Sequence, residues 1–212
     1  VAAAVAAEKG VEAPAAAPHT PVAPGVRRPA FDRARSWQDL IKQVEFGPRV
    51  PNLPGHTACR DWMVETLKPL ADSVERQDFS RTLDGTTLRM SNVIARWKGS
   101  GAGKNGVLLC AHWDTRPTAD YEFDPKNRRM PIPGANDGAS GVAVLMELAR
   151  AFKQQPPPVP VMIVMFDGED FGPGVDRMFL GSRHFAANLP RETPRRGVLL
   201  DMVGDKDLLI PM

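Results

Sequence analysis

The sequence is poor in the features that mark several common classes of protein. It has two cysteines, Cys59 and Cys110, and no C-x-x-C spacing, which argues against a zinc site built on cysteines. We expect both to be small buried residues, with a disulfide as the alternative in an exported protein. The formal charge of +2 is too small to favour nucleic acid as a partner. No apolar stretch reaches the ~20 residues that span a bilayer.

The start of the chain differs in composition from the rest. Residues 1–30 are dominated by Ala, Pro and Val, and we predict a disordered leader or linker there. The stretch from Val1 to Ala7 resembles the end of a signal-peptide apolar region, which favours an exported, envelope-associated protein. A cytoplasmic protein with a flexible start is the alternative. The folded part is predicted over residues 31–212.

Apolar runs alternate with amphipathic segments over this folded part, which predicts an α/β/α sandwich. A helix is expected to start at Ser36 as its cap, with Trp37 and Leu40 on its apolar face. A hairpin is expected to turn at Asp84-Gly85. The helices are predicted at 36–46, 56–70 and 138–153, with a short one starting at the cap Ser182, and the strands at 74–81, 88–98, 107–111, 161–166, 197–203 and 208–210.

One histidine and several acidic residues stand where these apolar runs end. Ligands of open α/β sheets bind beyond the carboxyl ends of the strands, so we expect these side chains to form one site. Histidine and carboxylates are ligand types that zinc takes. The residues concerned are His112, Asp114, Asp167, Glu169, Asp170 and Asp201, together with Asp137 at a predicted helix start.

Each candidate has a structural alternative. Asp114 follows His112 by two residues and could accept the second ring N–H of a metal-bound imidazole, although buried His–carboxylate pairs also occur without metal. Asp137 could instead be a helix N-cap. The adjacent carboxylates of Glu169 and Asp170 repel each other and lose hydration at the end of an apolar run, and a cation would remove that cost.

Other chemistries fit the sequence less well. The spacing Gly101-x-Gly103-x-x-Gly106 runs into a strand and not into a helix, so no nucleotide cofactor is predicted. The segment 138–141 lacks the G-x-S-x-G spacing of a serine nucleophile. His19 and His56 are expected to be structural or solvent-facing, and His184 to lie at the surface.

The order and spacing of several motifs resemble the M28 family of zinc-dependent metallopeptidases, and within it the glutaminyl-peptide cyclotransferase (glutaminyl cyclase) branch. This resemblance implies a mixed, mostly parallel central sheet of the zinc-exopeptidase, phosphorylase/hydrolase-like kind, and an M28-like catalytic domain over residues 31–212. The cyclase branch is indicated by Asp176 and the segment 180–184. The motifs are Phe46-Gly47-Pro48-Arg49, His112-Trp113-Asp114, Gly134-Ala135-Asn136-Asp137-Gly138-Ala139-Ser140-Gly141, Phe166-Asp167-Gly168-Glu169-Asp170, Leu180-Gly181-Ser182-Arg183-His184 and Asp201-Met202-Val203-Gly204.

The resemblance also implies roles for individual residues. His112 and Asp201 would ligate a first zinc, Asp137 would bridge two metals, and Asp170 would ligate the second. Glu169 would be the general acid/base, and Asp114 would orient His112. In the cyclases, one zinc suffices, held by the equivalents of Asp137, Asp170 and a later histidine.

The chain departs from the family pattern at three places. Asp170 stands where the family more often has Glu, and the aromatic residues of a cyclase pocket are not evident at 171–174. No histidine follows His184, although the family's last ligand lies well beyond Asp201. We therefore expect a C-terminally truncated domain.

The favoured function is zinc-dependent cyclisation of the N-termini of peptides or proteins. A two-zinc aminopeptidase is the alternative, and an inactive peptide-binding module is the third hypothesis.

Overall fold

A five-stranded mixed sheet organises the protein, which a computed structural model describes over residues 29–101 and 105–208. Most of the predicted leader lies outside the described residues, as do Gly103 and the end of the strand predicted at 208–210; Leu208 itself is not in a strand. The strands are β1 (Ser73–Leu83), β2 (Thr86–Trp97), β3 (Val107–His112), β4 (Val161–Phe166) and β5 (Gly197–Leu199), and the helices are α1 (Arg33–Glu45), α2 (Pro54–Leu67), α3 (Gly141–Gln154) and α4 (Leu180–Ala187).

The strand order is β1-β2-β4-β3-β5, and the described pairings divide evenly between the two orientations. β2 pairs antiparallel with β1 and β4, whereas β3 pairs parallel with β4 and β5. The register places His112 opposite Phe166. The residues that follow β3 and β4 therefore emerge at the same edge of the sheet, as the sequence predicted.

Helices cover both faces of the sheet, which confirms the three-layer arrangement. α2 and α3 pack on one face, where Met63 and Leu145 join β-strand residues such as Val93 and Ile163 in the main core. α4 packs on the other face through Phe185. α1 lies outside α3. No helix within the described residues is long and apolar enough to cross a membrane.

The first helix differs from its prediction. Its N-cap is Asp32, whose Oδ1 accepts the Arg35 N–H at 3.0 Å, and not Ser36. Trp37 is 56% exposed, because the buried face is turned toward the polar residues Asp39 and Gln43. Asp39 pairs with Arg150 on α3, and Gln43 Nε2 donates to Ala139 O just before α3, whereas Gln43 Oε1 has no hydrogen-bond partner among the described residues. Apolar periodicity could not reveal this buried polar face.

Two other helix starts also differ. The predicted helix at 138–153 is interrupted by a kinked turn over Ala135–Ser140, and α3 proper starts at Gly141. The cap of α4 is Phe179 and not Ser182, whose hydroxyl donates back to Phe179 O. The Asp84-Gly85 hairpin is confirmed, with both residues at positive φ.

Candidate metal centre

Three of the predicted site residues converge beyond the carboxyl end of β3. His112, Asp137 and Asp201 each offer one ligand atom, and these atoms all lie within 4.8 Å of one another. His112 Nε2 is 2.9 Å from Asp137 Oδ1 and 3.5 Å from Asp201 Oδ1. The side chain of His112 is buried, whereas those of Asp137 and Asp201 are 39% and 43% exposed, so the cluster is open to solvent on the carboxylate side.

Asp137 reaches this cluster because the chain is not helical there. Its ψ of 107° is extended, and Gly138 follows at φ 90°. A Cβ on Gly138 would lie 2.8 Å from the carbonyl oxygen of Asp114, so only glycine permits this close approach to the segment after β3. Since α3 has no side-chain cap, the N-cap interpretation of Asp137 is wrong.

Asp201 lies in a loop that two side chains of the kinked turn hold. Asn136 Oδ1 accepts the N–H of Gly204 at 2.7 Å, and Ser140 Oγ accepts that of Val203 at 3.1 Å. The strand predicted at 197–203 therefore ends earlier, at Leu199. The loop after it is tied to the turn that carries Asp137, which keeps the two aspartates together.

His112 has the properties of a cation ligand. Both of its ring nitrogens are buried, yet neither makes a hydrogen bond of good geometry to any described residue. Burial opposes protonation, but Asp114, Asp137 and Asp201 outweigh it and raise the pKa of His112 well above its ordinary value. A buried imidazole surrounded by carboxylates attracts positive charge, and its orphaned nitrogens suit a metal ion. The residues present therefore fit zinc.

Asp114 connects this cluster to the segment after β4. Its Oδ1 lies 3.4 Å from His112 Nδ1 and accepts the N–H of Glu169 at 2.9 Å, while Oδ2 accepts that of Asp170 at 3.1 Å. Burial alone would raise the pKa of this wholly buried carboxyl, but His112 and the two N–H donors hold it below its ordinary value. Asp114 thus stays ionised and faces the imidazole.

Glu169 lies at the edge of the cluster with a strongly altered acidity. Burial raises the pKa of Glu169 to about 7; His112 opposes this shift, whereas Asp114, Asp170 and Asp201 add to it. Its carbonyl oxygen accepts the N–H of Phe179, which fixes the loop between β4 and α4. A carboxyl group whose pKa lies near neutrality can both accept and donate protons.

Asp170 lies outside the group of three and is held by an arginine that the sequence analysis missed. Arg116 Nη1 donates to Asp170 Oδ1 at 2.6 Å, and Arg116 Nη2 donates to Asp120 Oδ2 at the same distance. Burial raises the pKa of Asp170, with Arg116 opposing and Asp137 adding to the shift. Asp170 therefore interacts electrostatically with Asp137, and metal ligation through its other oxygen, Oδ2, would keep the ion pair with Arg116.

Asp167 is separated from the site. Both of its carboxylate oxygens face His56 Nε2, at 3.0 and 2.9 Å, and Oδ2 also accepts the N–H of Ser91. The His56 ring stacks on Trp113 with centroids 4.4 Å apart. His56 is therefore a buried structural residue, which was one of its two predicted roles. The other prediction, a solvent-facing position, is wrong.

The loop between β3 and the kinked turn forms a cavity of about 710 Å³. Its walls include the exposed side chains of Tyr121, Phe123 and Met130. Asp120 belongs to the same wall, so Arg116 links this cavity to Asp170.

Residues 92–210 match the family described as peptidase family M28. The chain belongs to this family. A probable zinc metalloprotease of Pyrenophora teres f. teres is 30% identical in an alignment 208 positions long, which covers 84% of this chain and 40% of that protein. The predicted zinc cofactor is confirmed by membership of this family and by relatives that are named zinc metalloproteases.

Solved structures of bacterial proteins share the fold of this M28 chain. A leucine aminopeptidase precursor from Bacteroides thetaiotaomicron is 39% identical with a TM-score of 0.80, covering 86% of this chain and 66% of the other. A glutaminyl cyclase from the same organism is 38% identical with a TM-score of 0.79, covering 85% and 65%. The chain spans only 30% to 40% of the length of the first curated relatives that it matches.

Proposed function

We propose that this chain carries the metal centre and the general acid/base of an enzyme acting on the free N-termini of peptides, with cyclisation of N-terminal glutamine as the favoured reaction. The observation that carries the proposal is the link between Glu169 and the cluster of His112, Asp137 and Asp201: Asp114, which faces His112, accepts the Glu169 N–H, and burial raises the pKa of the Glu169 carboxyl to about 7. Similarity to solved glutaminyl cyclases supports the choice of reaction.

The residues proposed to hold zinc are His112, Asp137, Asp170 and Asp201, in a centre of one or two ions, with Asp114 orienting His112. Bound zinc would act as a Lewis acid on the carbonyl under attack. The partly exposed carboxylates of Asp137 and Asp201 leave the solvent side of the centre open, which is the side from which a peptide can approach.

In cyclisation, Glu169 moves a proton between two nitrogens. The α-amine of the substrate attacks the γ-carbonyl carbon of its own glutamine, and Glu169 accepts the proton that this nitrogen loses. Glu169 then donates the proton to the γ-amide nitrogen as its bond to carbon breaks. A five-membered lactam and ammonia result, and the carboxylate of Glu169 is restored.

Hydrolysis of the N-terminal residue is the second candidate, supported by similarity to the leucine aminopeptidase precursor. Glu169 would take a proton from the attacking water and pass it to the departing amine, so the same residue serves both reactions. An inactive peptide-binding module remains the third hypothesis.

Product analysis separates the three functions. The protein expressed from its complete gene, loaded with zinc, is incubated with a peptide that starts with glutamine and with one that starts with leucine. Loss of one ammonia from the first peptide supports the cyclase, and release of free leucine from the second overturns it in favour of the aminopeptidase. Binding of both peptides without any product identifies the binding module. N-acetylated peptides are the control, because they lack the free amine.

Export is a separate proposal, favoured by the composition of residues 1–7, which lie outside the described residues. Fractionation of cells that express the complete gene tests it, and recovery of the protein in the cytoplasmic fraction alone would contradict it.

A further inference from the structure

The side chain of Arg49 is wholly buried, yet the described residues provide no ion pair for it. It lies in the segment between α1 and α2, and its guanidinium donates three hydrogen bonds to backbone carbonyls. Nε donates to Trp113 O at 3.0 Å, Nη1 to Pro133 O at 2.7 Å and Nη2 to Gly134 O at 2.6 Å. A buried charge without a counter-ion is costly unless its donors are satisfied, so these three contacts have to be kept.

The three carbonyls belong to two of the segments that carry the proposed metal centre. Trp113 stands between His112 and Asp114, and Gly134 precedes Asp137 by three residues. The backbone of Arg49 also binds the segment of His112, because its N–H donates to Thr115 Oγ1 at 2.9 Å and its carbonyl accepts the Thr115 N–H at 3.3 Å.

Gly134, directly before the kinked turn, has no room for a side chain. Gly134 has a φ of 63°, and a Cβ there would lie 2.8 Å from Arg49 Nη2. The guanidinium is planar and rigid, so three contacts with two segments fix the spacing between those segments. Lysine has a single nitrogen on a flexible stem and cannot reproduce this fork.

We propose that Arg49 is a positioning residue that sets the distance between the segment of His112 and the segment of Asp137. The inference rests on the proposed function only in so far as these two residues bind metal. Without the fork, the spacing of the two segments is fixed less rigidly, and the ligand atoms are held together less firmly before the metal arrives. Among the described residues, Arg49 makes no hydrogen bond or ion pair with a proposed metal ligand.

The test uses the variants Arg49→Lys and Arg49→Met, with Arg35→Met as the matched control. Arg35 also holds a buried partner through its guanidinium, Glu147, but contacts neither segment. Hydrogen exchange in the metal-free protein is followed at the amides of Thr115 and Ala139, which donate to Arg49 O and Gly134 O. Binding of Co²⁺ is followed through its visible absorption, which reports the geometry of the ligands.

In Arg49→Lys we expect both amides to lose at least about tenfold in protection, while the amides of α2 and of the second half of α3 keep theirs. Co²⁺ is expected to bind about 10- to 100-fold more weakly, as after loss of other residues that support metal ligands, with an altered absorption spectrum. Arg35→Met should leave the two amides, the affinity and the spectrum as in the wild type.

Unchanged exchange and Co²⁺ binding in Arg49→Lys would overturn the proposal. An even loss of protection throughout the sheet and helices would also overturn it, because Arg49 would then be an ordinary core residue. If Arg49→Met fails to fold, the results for Arg49→Lys alone decide the test. If the wild-type chain binds no Co²⁺, the proposed metal centre fails, and the exchange readout still decides whether Arg49 positions the two segments.

Discussion

Asp114 Oδ1 lies 3.4 Å from His112 Nδ1 and accepts the backbone N–H of Glu169 at 2.9 Å. One carboxylate therefore contacts both the buried imidazole and the backbone of the proposed general acid/base. The strands that deliver these residues, β3 and β4, are parallel neighbours, and Asp114 joins their ends.

Replacing Asp114 by Asn should weaken the metal centre. Asparagine keeps the size of the side chain but removes the negative charge that faces His112, and its amide nitrogen cannot accept the N–H of Asp170. We expect zinc affinity to fall about 10- to 100-fold. Competition with a chelating dye measures this affinity, with Asp61→Asn as a control on the exposed side of α2. Equal affinities in the two variants would show that Asp114 does not support the ligand.

Glu169→Gln should abolish turnover while zinc stays bound. Glutamine cannot accept or release the proton, and we expect kcat to fall about 100- to 10,000-fold. Zinc content, measured by mass spectrometry after dialysis, should equal that of the wild type, since Glu169 is proposed as a proton carrier and not as a ligand. Loss of zinc together with activity would contradict this role.

The contact between α1 and α3 should make stability depend on acidic pH. Burial alone would raise the pKa of Glu147, but hydrogen bonds from Arg35 and from the Asp32 N–H hold it below its ordinary value. The ionised group therefore stabilises the fold above the pKa of the unfolded chain, and this contribution is lost as the pH falls through the lower folded-state pKa.

Urea unfolding at pH 7 and pH 3 of wild type and Glu147→Gln measures this contribution. The substitution removes charge-assisted hydrogen bonds, but the Arg35 side chain is 39% exposed and stays hydrated, so we expect a loss of about 1 to 2 kcal/mol at pH 7. The difference between wild type and variant should shrink at pH 3. Glu65→Gln, at an exposed pair with Lys68, serves as control. A constant difference at both pH values would rule out Glu147 as the source.

Both cysteines should resist thiol reagents in the native protein. Cys59 and Cys110 are free and buried, and burial raises the pKa of each thiol to about 12, so almost no thiolate forms at pH 8. We expect no reaction with Ellman's reagent before unfolding and two reactive thiols per chain in guanidinium chloride. Only one or no thiol after unfolding without reductant would indicate the disulfide that was the alternative for an exported protein.

The sequence predicted the sheet edge and its ligand candidates because both depend on local patterns. The apolar run at 161–166 became a strand with those bounds, and the residues following β3 and β4 met at one edge. The same pattern could not separate Asp167 from Glu169 and Asp170, because the partner of Asp167 is His56, 111 positions earlier in the chain.

The residues that hold the site together were missed for a related reason. Arg49, Asn136 and Ser140 were all within recognised motifs, but their partners are backbone groups of distant segments, which leave no mark on local composition. The kink at Asp137 was also hidden, since the glycine after it fits a helix start as well as a turn. Arg116 gave a weak signal, as a basic residue two positions after Asp114.

Calorimetric titration of the metal-free chain with zinc tests the proposed metal centre, for wild type, His112→Ala, Asp201→Asn and the exposed control Asp205→Asn. We expect wild type and Asp205→Asn to bind zinc alike, and both His112→Ala and Asp201→Asn to lose at least about tenfold in affinity. Equal zinc binding by all four proteins would mean that the cluster of His112, Asp137 and Asp201 is not the metal centre.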